Sequence, residues 1–171
     1  MWFFNGSVRP PFAKTPRAGE ESVWDYPRPP MLAADDREII VAYRDQVIAR
    51  STKAIRVLET AGPPTFYLPK ADIDFKHLVP ALEQSWCEWK GSARYYRLAN
   101  SDVMSDVVSW TYPRPNDNFE ALQDCFGFYP GRLQCSVNGE SVRAQAGGFY
   151  AGWVTNEIAG PMKGEPGTEC W

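Results

Sequence analysis

Between Ser85 and Tyr96 the chain reads Ser-Trp-Cys-Glu-Trp-Lys-Gly-Ser-Ala-Arg-Tyr-Tyr, so two indoles, a thiol, a carboxylate, an ammonium and two phenols fall within twelve residues. Such mixtures line small-molecule sites, where rings supply apolar area and a few polar tips supply direction. If residues 86–90 are extended, period-two alternation sends Trp86, Glu88 and Lys90 to one face and Cys87 and Trp89 to the other. Gly91 then lets the backbone bend, which seats the ammonium of Lys90 beside a wall of rings that continues to Tyr95. A lysine desolvated in this way has a lowered pKa and can act as general base or Schiff-base nucleophile. The competing reading is a buried strand whose lysine reaches outward along its own stem.

Two further stretches carry chemistry of the same kind. Trp-x-Tyr-Pro-Arg-Pro occurs as Trp24, Tyr26, Pro27, Arg28 and Pro29, and again as Trp110, Tyr112, Pro113, Arg114 and Pro115. The two arginines suit a ligand carboxylate or phosphate, or else stack as structural cations. Near the carboxyl end, Gly147-Gly-Phe-Tyr-Ala-Gly-Trp153 and Gly160-Pro-Met-Lys-Gly164 set Tyr150, Trp153 and Lys163 on a glycine-dense backbone that allows close approach to a ligand. Glu88 and Tyr150 are the candidate acid–base partners of Lys90. Cys87 reads as an inert buried thiol ahead of a nucleophile, because no histidine stands near it in sequence. His77, the single histidine, reads as a surface residue.

The elements that must position these groups are short strands. Fifteen prolines, thirteen glycines and 14% aromatic residues disfavour long helices and suit strands joined by tight turns. A hairpin is expected over 38–51 with its turn at Arg44-Asp45, and a second around Asn138-Gly139. Strands are expected at 54–59 and 65–68, with alternation continuing through 71–75 and an apolar run from Val103 leading into Trp110. Phe119–Phe126 is the best helix candidate, capped by Asn116 or Asn118 and ended by Gly127. The repeated phrase suggests internal duplication, with β units at about 22–80 and 85–145 inside one domain over 22–168. Residues 1–21 read as an extended arm laid over that domain, and 147–168 as its glycine-aromatic end.

Charge and cysteine usage exclude several function classes. Eighteen basic against twenty-one acidic residues give a net charge of −3. That balance, without like-charge blocks, argues against a nucleic-acid or anionic-membrane partner. No apolar run approaches the roughly 18–20 residues that span a bilayer. Four cysteines without a C-x-x-C pair, and one histidine, disfavour a metal site. No secretion signal is evident at the amino terminus, so the expectation is a cytoplasmic protein with reduced thiols and no cofactor, whose partner is a small molecule. A homo-oligomer stays open.

Glu21-Ser-Val-Trp-Asp-Tyr-Pro-Arg-Pro-Pro30, Cys87-Glu-Trp-Lys-Gly91 with Tyr95, Tyr-Pro-x-Pro at 112–115, and the two glycine-aromatic motifs at 147–153 and 160–164 resemble domain-of-unknown-function family 427. The resemblance covers most of residues 20–168. It implies a β-tent type fold, mainly β, in which two antiparallel sheets lean together, and it brings a nucleotidyltransferase label. Where the family typically has Cys-Pro-Trp-Lys-Gly, this chain has Glu88 in place of the proline, which adds a carboxylate. The label itself needs metal-holding carboxylates beside a phosphate cradle. Asp72-x-Asp74 is the only D-x-D, and neither G-x-x-x-x-G-K-[ST] nor G-x-G-x-x-G occurs.

Three readings follow. The favoured one is a metal-independent enzyme acting by proton transfer (an isomerase, lyase or cyclase) on a partly apolar organic molecule held between the sheets, with Lys90, Glu88 and Tyr150 catalytic. Its ligand contacts are Trp24, Tyr26, Arg28, Trp86, Cys87, Trp89, Tyr95, Trp110, Tyr112, Arg114, Trp153 and Lys163. The others are a nucleotidyltransferase and a non-catalytic binding or interaction module.

Overall fold

The computed structural model describes residues 3–99 and 106–171. Its strands, in chain order, are β1 (Glu21–Ser22), β2 (Met31–Asp35), β3 (Ile39–Tyr43), β4 (Gln46–Ser51), β5 (Ala54–Leu58), β6 (Thr65–Pro69), β7 (Leu78–Cys87) and β8 (Gly91–Leu98). They continue as β9 (Ser109–Thr111), β10 (Cys125–Phe128), β11 (Gln134–Val137), β12 (Glu140–Ser141), β13 (Arg143–Ala144), β14 (Trp153–Val154) and β15 (Ile158–Ala159). A seven-stranded sheet runs β2-β5-β6-β10-β9-β8-β7 and a four-stranded sheet β12-β11-β3-β4, every neighbouring pair antiparallel. The mainly β expectation holds.

Alternation along the strands divides the seven-stranded sheet into two apolar faces. Phe66, Leu68, Phe126 and Phe128 point toward the four-stranded sheet and meet Ile39, Val41, Ile48 and Cys135 in one buried cluster. Tyr67, between Phe66 and Leu68, and Cys125, just before Phe126, join Val57, Ala93 and Trp110 in a second cluster on the opposite face. The space between the sheets is therefore filled with side chains, and Trp153 completes it. Its ring stacks on Phe66 at 4.8 Å and its Nε1–H donates to the Phe128 carbonyl at 3.0 Å.

The two expected hairpins form where their turn residues stand. Arg44, at φ 53°, and Asp45 link β3 to β4, and Asn138 and Gly139, both at positive φ, link β11 to β12. Other expectations are corrected. The 119–126 segment is a 3-10 helix over Asp117–Leu122, broken by Phe119 at φ −121°, and Cys125 and Phe126 belong to β10. Residues 71–75 are mostly 3-10 turns, with Ile73 making a single bridge to Ala49. Of the run leading into Trp110, residues 103–105 lie outside the described residues.

The first Trp-x-Tyr-Pro-Arg-Pro phrase is a loop and the second begins on β9, so the two copies occupy different surroundings. Trp24 belongs to a third cluster, where Phe4 and Phe12 of the amino-terminal arm pack edge-on to its ring at 5.1 and 5.0 Å. The arm is fixed to the body by backbone bonds from Lys14 to Gly160 and from Arg28 to Asn5. No helix among the described residues is long and apolar enough to cross a membrane.

Candidate functional site

A cavity of about 870 Å³ opens on the outer face of the seven-stranded sheet, over the second cluster. Strand register builds its floor. Tyr67 pairs with Gly127, Gly127 with Trp110, and Trp110 with Tyr95, so these four lie in one row across β6, β10, β9 and β8. A Cβ on Gly127 would sit 2.4 Å from the Trp110 ring, so the absent side chain is the space the indole occupies. The ring lies across the glycine and its Nε1–H donates to the Tyr67 hydroxyl at 3.0 Å. At the end of the row the hydroxyls of Tyr95 and Ser85 meet at 2.7 Å.

Lys90 enters the cavity by a route that alternation does not describe. Glu88, Trp89 and Lys90 form the turn of the β7–β8 hairpin, and Cys87 pairs with Gly91 across it. This corrects the extended reading of residues 86–90. Asn116 clamps the turn: its Nδ2 donates to the Trp89 carbonyl at 2.8 Å and its backbone N–H to the Lys90 carbonyl at 3.2 Å. Gly91 takes φ +93° to close the reversal, a conformation that favours glycine. The turn leaves Trp86 69% exposed at the cavity mouth and Lys90 only 8% exposed.

The Lys90 ammonium lies 5.7 Å from the ring centre of Tyr112 and 5.9 Å from that of Phe119. Burial works against its charge, but Tyr67, Cys87 and Glu59 outweigh burial and hold its pKa above the ordinary lysine value. The expected lowered pKa is thus corrected for Lys90, which stays a cation. Lys163 shows the lowering instead, through burial first and then the Arg28 charge. Its Nζ donates to the Trp171 main-chain oxygen at 3.0 Å and lies 5.6 Å from the Tyr150 ring centre. Burial, then Glu59 and Glu169, raises the Tyr150 phenol, while burial raises Tyr67 and Tyr112.

Of the residues singled out in the sequence, Trp86, Cys87, Glu88, Trp89, Lys90 and Tyr95 line the cavity from the hairpin. Trp110, Tyr112, Arg28, Tyr150 and Lys163 reach it from elsewhere in the chain. Trp24, Tyr26 and Trp153 are buried in the other two clusters, and Arg114 is exposed outside the lining. Arg28 borders the cavity as a brace. Its guanidinium donates to the Phe4 carbonyl at 2.9 Å, the Thr60 carbonyl at 2.8 Å and Glu59 at 3.2 Å, tying the arm to the loop after β5. The site also lies outside the sheet pair and not between the sheets, because the intervening space is packed. Sequence reasoning missed Tyr67, Glu59 and Tyr129. For Tyr67 the signal was present, since alternation in β6 already separates it from Phe66 and Leu68.

The sequence profile of the family described as Domain of unknown function (DUF427) matches residues 31–139. The chain belongs to this family. Within the DUF427 domain fall the ring row and the Lys90 turn, whereas Arg28, Tyr150 and Lys163 come from outside the matched span. No curated protein matches the chain.

The family's short label denotes nucleotidyl transfer, which implies a divalent ion. Among the described residues, no group of three or more His, Cys, Asp or Glu side chains stands ready to hold one. Asp72 accepts from the Ser51 hydroxyl at 2.6 Å and Asp74 pairs with Lys76 at 2.6 Å, and neither lines the cavity. These residues do not fit such an ion.

Proposed function

We propose that this DUF427 protein binds a small, partly apolar organic molecule in the cavity over the Tyr67–Trp110 row and transforms it by metal-independent proton transfer. What supports this reading is the convergence of Lys90 and Glu88, from the β7–β8 turn, with Tyr150, from the glycine-rich loop, on one ring-floored space. Cavities of several hundred Å³ with apolar walls and few polar tips are the usual form of small-molecule sites.

Each group has a role set by its surroundings. Lys90, held charged, stabilises negative charge developing on a carbonyl or carboxylate oxygen of the ligand. Tyr150, whose phenol keeps its proton at neutral pH, donates that proton. Glu88, exposed at the mouth, is the carboxylate that removes one. This set suits an isomerisation, elimination or ring closure next to an acidifying group.

The test is a thermal-shift series with unphosphorylated aromatic and carboxylated metabolites beside the four nucleoside triphosphates, with and without magnesium. A ligand that binds only the native state raises apparent stability by mass action. Stabilisation by a ring compound, with nucleotides silent, is expected. Magnesium-dependent stabilisation by a nucleoside triphosphate would replace this reading with the family's nucleotidyl-transfer label. Turnover of the stabilising compound by wild type, lost in Lys90→Met while the fold survives, separates an enzyme from a binding module.

A further inference from the structure

The ammonium of Lys90 is a buried cation without a matching anion. Among the described residues no carboxylate, carbonyl or hydroxyl oxygen accepts a hydrogen bond from it. Its neighbours are the rings of Tyr112 and Phe119 and the Cys87 thiol. Glu59, the carboxylate whose field reaches Lys90, is paired with Arg28 at 3.2 Å instead. A buried ammonium is costly unless paired and hydrogen-bonded, and here its open side is the cavity.

Most of the other charged groups around the cavity are engaged: Arg28 and Lys163 donate to main-chain oxygens, and Glu59 is paired with Arg28. Arg132 donates to the Val107 carbonyl and lies 4.2 Å from the Tyr129 ring centre. At the rim, Glu83 is paired with Arg97. Tyr67, buried in the floor, accepts the indole N–H of Trp110. The Lys90 ammonium beside a row of rings makes a place for a single negative charge on a flat apolar body.

We infer that the occupant of this cavity is a monoanionic ring compound, its carboxylate seated on Lys90 and its ring on the Tyr67–Gly127–Trp110 row. This inference rests on the proposed small-molecule function and names its substrate class. A dianionic phosphate ester fits less well, because it calls for a second cation, and Arg28, Arg132 and Lys163 already donate to main-chain oxygens.

The test compares one- and two-ring aromatic carboxylates with their carboxamides, matched in shape and differing in charge, by calorimetry near neutral pH. Wild type is expected to bind the acids at least about tenfold tighter than the amides, a difference of about 1.4 kcal/mol. In Lys90→Met that preference disappears while amide affinity is kept, and in Lys90→Arg a preference for the acid remains. Equal binding of acid and amide by wild type overturns the anion site and leaves the ring pocket standing, as does an acid preference that persists in Lys90→Met. Binding of neither series overturns the ring pocket and the anion site with it. The wild-type comparison decides between these outcomes even if a variant fails to fold.

Discussion

Trp110 donates its indole N–H to the hydroxyl of Tyr67 across Gly127, and the glycine's missing side chain is what lets the two rings meet. A methyl group at Gly127 has no room without moving the indole. Gly127→Ala is therefore expected to destabilise the fold by about 1–3 kcal/mol, the usual range for overpacking a filled site. Urea unfolding with an unchanged slope checks it. An unchanged midpoint would mean that the row is looser than described.

Lys90 is held for its charge and not for the stability of the fold. Replacing a buried, unmatched ammonium with an apolar side chain of similar length is often neutral or stabilising. Lys90→Met should leave unfolding free energy unchanged or raise it by about 1 kcal/mol, while ligand binding falls. A loss of several kcal/mol would assign Lys90 to structure instead.

Arg28 is the opposite case. It satisfies two main-chain carbonyls and the Glu59 carboxylate. Removing it strands those acceptors, so Arg28→Met is expected to cost about 2–4 kcal/mol. Faster proteolysis near Phe4 should accompany that loss. A stability like wild type's would show that the arm is held by its rings and main-chain bonds without the Arg28 side chain.

These contrasts separate what the sequence discloses from what it hides. The hairpins at 39–51 and 134–141 were legible because local turn chemistry sets them, most plainly Asn138-Gly139. The Glu88–Lys90 reversal was not, because its clamp is Asn116, distant in sequence. Residue type also cannot tell a cavity wall from a core. Trp110 and Trp153 are both buried, yet one floors the cavity and the other seals the sheet pair. The helix expected over 119–126 forms only as a short 3-10 helix, because the apolar spacing of Phe119, Leu122 and Phe126 serves a 3-10 turn followed by a strand. The DUF427 resemblance was carried by short motifs that survive in spite of this ambiguity.

Alkaline pH should expose the buried phenols. Burial raises Tyr26, Tyr67 and Tyr112, and raises Tyr129 to about 12. In the unfolded chain these phenols ionise near pH ~10, so above that pH the unfolded state sheds protons the native state keeps. Their contribution to stability is complete below pH ~10 and is lost as pH rises toward the folded values. Ultraviolet titration of the native protein should find these four, and Tyr150 with them, ionising above the ordinary phenol value. Ionisation of all eight together near the ordinary value would contradict their burial.

The most direct test of the cavity is the indole N–H spectrum of ¹⁵N-tryptophan-labelled protein during titration with a two-ring carboxylate. The indoles of Trp86, Trp89 and Trp110 border the cavity, while Trp24 and Trp153 lie in the two clusters that do not. The account predicts that the Trp110 resonance shifts with one or both hairpin indoles while Trp24 and Trp153 stay fixed. Shifts of Trp24 or Trp153 with Trp110 unmoved would place the ligand elsewhere and contradict it.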